Sequence, residues 1–195
     1  MKIYSITVFS TENEEAVNLT GEYELSGFGF FQRGSVQEFM KFFSKTVAER
    51  TRPGQRLSVE ENNYIFYSYA RTEGIAGVII CDNEYPQRVA LSLLSKILDE
   101  FLGKFARNTW KPQTISYPEL KNYLIKYQDP KEADQIIKVQ EQLDETKQVM
   151  NKTIESLLQR GEKLDDLIDR SQEISFQSKA FYKQARKTNS CCTIS

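Results

Sequence analysis

Polar and apolar residues alternate in MKIYSITVFS, and the pattern of the first 25 positions predicts a pair of strands, Met1 to about Ser10 and Ala16 to Leu25, joined by the polar stretch Thr11 to Glu14. The glycines at 27, 29 and 34 break the pattern. From Ser35 the period lengthens. Val36, Phe39, Met40, Phe43 and Val47 recur at helical spacing, with Ser35 as N-cap and Glu38 at the capping-box position, until Pro53-Gly54 ends the helix. Leu57 to Val59, Tyr64 to Ala70 and Ile75 to Cys81 then read as three strands, with turn signals at Glu61-Asn62-Asn63 and Glu73-Gly74. Pro86 opens a second helix whose apolar face is Val89, Leu93, Leu94, Ile97, Phe101 and Phe105, and Ser116 to Tyr127 form a short third. The order predicts an α+β domain over residues 1–127, a five-stranded antiparallel sheet with flanking helices.

After Tyr127 the pattern changes. Residues 128–134, with Gln128-Asp129-Pro130, read as a linker, and residues 135–189 are polar, poor in glycine and helix-favouring. Steps of alternating three and four run through Ile136, Val139, Leu143, Thr146, Met150, Thr153, Leu157, Arg160, Leu164, Leu167, Ser171, Ile174, Ser178, Phe181, Ala185 and Thr188 without a stutter. That is an a/d seam, and it predicts one long coiled-coil helix. Thr146, Thr153, Ser171, Ser178 and Thr188 make a poor apolar stripe, so the helix depends on partners to complete its core. Arg160 at the centre either snorkels out of the seam, marks a local break in the register, or is buried when a bundle closes. The intact register on both sides favours burial, where a single polar residue fixes alignment at the expense of stability. Gly161 beside it costs about 1 kcal/mol of helix propensity and gives zippering a place to pause.

Composition narrows the function. The 195 residues carry 26 basic and 27 acidic side chains, a net charge of -1 that offers no field for nucleic acid. Histidine is absent, which removes the commonest general base and metal ligand. Cys81, in an apolar run, has no histidine to activate it, and Asp165-Asp166 read as surface charges, so an enzyme is disfavoured and neither a cofactor nor a metal is expected. Cysteine usage suggests a reducing, cytoplasmic setting. The N-terminus lacks the apolar core of a signal peptide, and no window reaches the ~18 apolar residues of a spanning helix.

The stretch LLQRGEKLDDLIDRSQEI, with Arg160 central, resembles the R-SNARE motif, and the preceding domain, with FFQRGSVQEF and NEYPQRVA, resembles a longin domain, which is profilin-like. The resemblance covers essentially the whole chain. It implies that Arg160 is the zero-layer residue of a four-helix bundle and hydrogen-bonds glutamines from three partner Q-SNARE helices, Qa, Qb and Qc. It also implies a role in vesicle docking and membrane fusion on the cytosolic face of endomembranes, the Golgi, ER-Golgi vesicles, endosome or vacuole.

Residues 190–195 form a lipidation tail. Cys192-Thr193-Ile194-Ser195 fits a C-a-a-X box with serine last, the type usually farnesylated by a prenyltransferase, although Thr193 is not aliphatic. One lipid gives only reversible binding, so Cys191 is the site for palmitoylation or another second lipid. Lys179, Lys183, Arg186 and Lys187 add a basic face, which is either a patch for anionic membrane or an ordinary solvated helix surface. Within the family, the combination is similar to the prenylated, synaptobrevin-like longin R-SNAREs. A farnesylated tail in the cytosol needs shielding, and the resemblance implies that the longin domain folds back on the SNARE helix and the lipid. Phe39 and Phe43 read as core, whereas Phe42, about 60° from Phe39 around the helix, is the candidate for an exposed groove. Two alternatives stay open: a regulatory longin module with a lipid-targeted helical tether, and Ser156, Ser171, Ser175 and Ser178, on or near the seam, as phosphorylation sites that block zippering.

Overall fold

A computed structural model describes residues 1–112, 114–129 and 148–191, with side chains as far as residue 186. The residues fall into two compact units: 1–24 with 44–157, and 25–43 with 158–195.

The first unit is built on a sheet. β1 (Ile3–Ser10), β2 (Val17–Tyr23), β3 (Arg56–Glu61), β4 (Tyr64–Ala70) and β5 (Ile75–Asp82) appear where the alternation predicts them, and a sixth strand, β6 (Val149–Thr153), joins them in the order β2-β1-β5-β4-β3-β6. Alternate residues of β5 divide between two covered faces. Ile75, Ile79 and Cys81 belong to the core formed with α2 (Gln87–Lys104) and α3 (Glu119–Lys126), while Ala76, Val78 and Ile80 are buried on the opposite face. Gly77 sits where α2 crosses the strand. A Cβ there would lie 2.8 Å from Leu94 Cδ2, so glycine is what lets helix and sheet approach this closely. On the opposite face the Thr51 hydroxyl meets that of Ser68 on β4 at 2.8 Å.

The end of α3 is tied to the first strand. Gln128 pairs with Ile3 as another strand would, donating to the Ile3 carbonyl at 2.8 Å and accepting from its amide at 3.2 Å, and Tyr85 donates to the Tyr127 carbonyl at 2.7 Å. Glu100 on α2 accepts from the hydroxyls of Tyr117, at 3.0 Å, and Tyr123, at 2.8 Å. Burial and these carboxylate contacts push both phenols above their ordinary range.

Two expectations need correction. The sheet has six strands and is mixed, because β6 pairs parallel with β3 while every other pair is antiparallel. Without β6, β3 would present an unpaired edge; Val149 to Thr153 pairs with it, and a lone helix with threonine in its seam has too little apolar packing to compete. The second correction concerns the long helix. In place of one rod, the described part of residues 135–189 forms β6, a single turn α4 (Ile154–Leu157), α5 (Leu164–Arg170) and α6 (Phe176–Cys191).

The second unit holds α5, α6 and the first part of α1 (Arg33–Arg50), a helix that passes from one unit into the other. α1 begins two residues before Ser35, so Ser35 and Glu38 do not cap it; both are used in contacts to the C-terminal segment.

Candidate functional site

The functional surface of a seam is its line of a and d residues, and the structure distributes that line over several elements. Ile136, Val139, Leu143, Thr146, Thr188 and Cys192 lie outside the residues whose side chains are described. Met150 and Thr153 are in β6, opposite Leu57 and Glu60 of β3, and Leu157 ends α4. Arg160 is exposed in a turn. The Glu162 amide donates to the Gln159 carbonyl at 2.9 Å across Arg160 and Gly161, and Gly161 has φ +85°, the conformation a type II turn requires at its third residue. Beyond the turn, Leu164, Leu167, Ile174 and Ser178 face one apolar cluster, whereas Phe181 and Ala185 point to solvent. Cys191 is the last residue of α6.

The cluster belongs to the second unit. Phe42 is only 7% exposed and lies with Ile168 and Ile174; Phe39, Phe43, Leu164, Leu167 and Tyr182 surround them. Phe42 meets Phe43 edge to face at 5.4 Å between centroids, and Phe39 lies 5.4 Å from Tyr182. The expectation that Phe42 lines an open groove is therefore corrected in one respect: the groove is filled, by α5 and the segment that follows it. Phe39 and Phe43 are half-buried in this same cluster and not in the core beneath α2. Heptad reading missed Ile168 and Tyr182. Ile168 stands four residues after Leu164 and one after Leu167, so α5 presents an i, i+3, i+4 face wider than a strict seam.

Polar contacts fix the alignment. The Ser175 amide donates to Glu38 Oε2 at 2.8 Å, and the buried Ser178 hydroxyl donates to Ser35 Oγ at 2.9 Å. Contacts at 35 with 178 and at 39 with 182 advance together, so α6 runs parallel to the first part of α1. Burial favours the neutral acid at Glu38, but hydrogen bonds from Ser178 and Ser175 outweigh it and hold the carboxyl below its ordinary range. A lowered folded pKa means the contact adds stability above the ordinary carboxylate pKa and loses it as pH falls through the lowered value. Glu38→Ala should therefore weaken docking at neutral pH by about 1–2 kcal/mol, read as faster hydrogen exchange at the Ser175 amide. The difference between wild type and variant should shrink below about pH 4.

The basic face of α6 is engaged with α5. Arg186 pairs with Asp165, Lys183 with Asp169 at 3.0 Å, and Lys179 donates to the carbonyls of Asp169 and Ser171 at 2.8 and 2.7 Å. Lys179 thereby caps the C-terminal end of α5, where the helix dipole favours a cation. These exposed pairs are weak and screened by salt, so they orient the α5–α6 hairpin more than they stabilise it.

Cys81 is buried, with its thiol pushed far up by desolvation, and the described residues contain no group of side chains able to hold a metal. No helix among them is long and apolar enough to cross a membrane.

Comparison with known proteins places the chain in a family. Residues 25–124 match the family model described as Longin, a regulated-SNARE-like domain, and residues 135–193 match the one described as Synaptobrevin. The chain is 58% identical to the "Synaptobrevin homolog ykt6" of Schizosaccharomyces pombe, 55% to the "Synaptobrevin homolog YKT6" of Candida glabrata and 54% to that of Saccharomyces cerevisiae, with 100% of both chains covered each time. The chain belongs to the longin-domain synaptobrevin family, the R-SNAREs of vesicular transport, which act by joining other SNAREs and not as enzymes.

Proposed function

We propose that the chain drives docking and fusion of transport vesicles by zippering residues 135–189 with three Q-SNARE helices, and that residues 1–127 hold the same segment inactive in a closed, cytosolic form. Arg160 supplies the central layer, where its guanidinium meets three glutamines; Cys192 carries a prenyl group and Cys191 a second lipid that anchors the open form to the cytosolic face of Golgi, ER-Golgi, endosomal or vacuolar membrane.

The observation that carries this reading is the use of one set of side chains for two purposes. Leu164, Leu167, Ile174 and Ser178 are the seam residues that a bundle would bury, and here they pack on Phe39, Phe42, Phe43 and Ser35. Met150 and Thr153, also seam residues, are taken up by strand pairing with β3. A segment cannot lie in both arrangements, so partners and the N-terminal domain compete for it. Arg160 fits the same logic, because it is solvated in the turn and is desolvated only where partner glutamines can satisfy it.

Mixing the full chain with sets of glutamine-bearing Q-SNARE helices tests the reading. The expected product is a stable complex with more helix than the separate components, in which β6 has disappeared. Arg160→Ala should weaken it while leaving the closed form unchanged, since Arg160 makes no buried contact there. Failure of every compatible set to form such a complex would overturn the proposal. Intact mass of the protein from its own cell, before and after hydroxylamine, reads the two lipids.

A further inference from the structure

The segment between β2 and α1 presents two phenylalanines that the SNARE reading does not use. Phe30 is 78% exposed and Phe31 94% exposed. They occupy the two central positions of a turn closed by the Gln32 amide on the Gly29 carbonyl at 2.8 Å, and their rings meet edge to face at 5.5 Å. The turn is held from below. Arg33 donates from Nε to the Phe28 carbonyl at 3.1 Å and from Nη2 to the Ser26 carbonyl at 3.5 Å, and α1 begins at that residue. Two large aromatic rings are thus fixed at the tip of a braced turn and aimed at water, an arrangement that hydrophobic burial opposes unless something covers them.

We propose that Phe30 and Phe31 insert into the interface of an anionic phospholipid bilayer. Charge favours a bilayer. Residues 25–37 contain no carboxylate, and their one charged side chain is Arg33, at the base of the turn, where it meets the level of lipid phosphates once the rings are inserted. Of the two carboxylates that flank this stretch, Glu24 and Glu38, Glu38 is engaged by the Ser175 amide. Aromatic side chains in the interfacial layer, with a cation beside them, are a general means of peripheral attachment. The contact is independent of the cysteines. α6 rises roughly 1.5 Å per residue, so the Ser178 end that touches Ser35 and the Cys191 end lie about 20 Å apart, and the two contacts would hold the second unit to the membrane at separate points.

The test uses the full-length, unlipidated chain and vesicles of phosphatidylcholine with and without phosphatidylserine. The double substitution Phe30→Ser, Phe31→Ser removes side chains that are almost fully solvated, so thermal stability should not change, while partition onto phosphatidylserine-containing vesicles should fall by about tenfold or more. Phe176→Ser removes a ring that is 88% exposed but solitary, and should leave partition as in wild type. Phe31→Trp should place a fluorophore that lipids brominated in the acyl chain quench, against the unquenched background of Trp110. Unchanged partition in the double variant, equal loss in Phe176→Ser, or no quenching of Trp at 31 would each overturn the proposal. So would a double variant that binds vesicles normally but loses assembly with Q-SNARE helices, which would make the turn a protein-docking element.

Discussion

Phe42→Glu is expected to release the C-terminal segment from the helix it covers. Phe42 is nearly fully buried against Ile168 and Ile174, themselves 1% and 3% exposed. Removing a large aromatic from such a site costs about 3–5 kcal/mol, and leaving a carboxylate among aliphatic side chains adds to it. Even about 3 kcal/mol shifts the closed-to-open ratio by roughly a hundredfold. Amide exchange at Ile168 and Ile174 should rise by that factor, while the core beneath α2, which shares no residue with the cluster, keeps its protection. Assembly with Q-SNARE helices should accelerate in parallel, and the lipidated variant should move from cytosol to membrane. Unchanged exchange at Ile168 would show that Phe42 does not hold the segment in place.

Phe42 also marks how far sequence reading reaches. Its position off the Phe39–Phe43 line widened the apolar face of α1 beyond what one core needs, so a second contact was legible there. That the C-terminal helix would cover it was implied by the resemblance, but the stretch that does so was not legible. Ile168 is off the heptad register, and its role depends on α5 ending at Arg170, a boundary set by tertiary packing. The five antiparallel strands were legible as alternating or apolar runs bounded by turn signals, and α2 buries Val89, Leu93, Leu94, Ile97 and Phe101 as its helical spacing predicts. β6 was not legible. Val149 to Thr153 carries β-branched residues at its ends, but Met150 and Thr153 also satisfy a heptad, and a five-residue segment this ambiguous is decided by the edge of β3. Ser35 and Glu38 show the same limit from the other side: a capping-box pair was read correctly as hydrogen-bonding residues and incorrectly as to partner, because Ser175 and Ser178 lie about 140 positions away.

Both states of the segment meet at Gly161, and Gly161→Ala is expected to favour the extended helix through each of them. In the closed form Gly161 has φ +85°, at the third position of the turn across Gln159 and Glu162. No side-chain clash opposes a methyl group there, since a Cβ would meet nothing within 4 Å. The penalty is therefore backbone strain alone, about 1–2 kcal/mol for an L-residue in the left-handed region. In a continuous helix the same substitution gains about 1 kcal/mol, because glycine is the poorest helix former after proline. The two effects add, since one raises the closed state and the other lowers the open one. A shift of roughly 2–3 kcal/mol corresponds to about 30- to 150-fold in favour of opening. Far-UV circular dichroism should show more helix, the onset of assembly with Q-SNARE helices should quicken, and amide exchange at Ile168 and Ile174 should rise with the shift although no contact of Phe42 is altered. A d-alanine at position 161, introduced by semisynthesis, separates the two contributions: it accepts the positive φ of the turn and disfavours the right-handed helix, so it should lock the closed form. If l- and d-alanine moved the equilibrium in the same direction, the turn at Arg160-Gly161 would not be the hinge between the states.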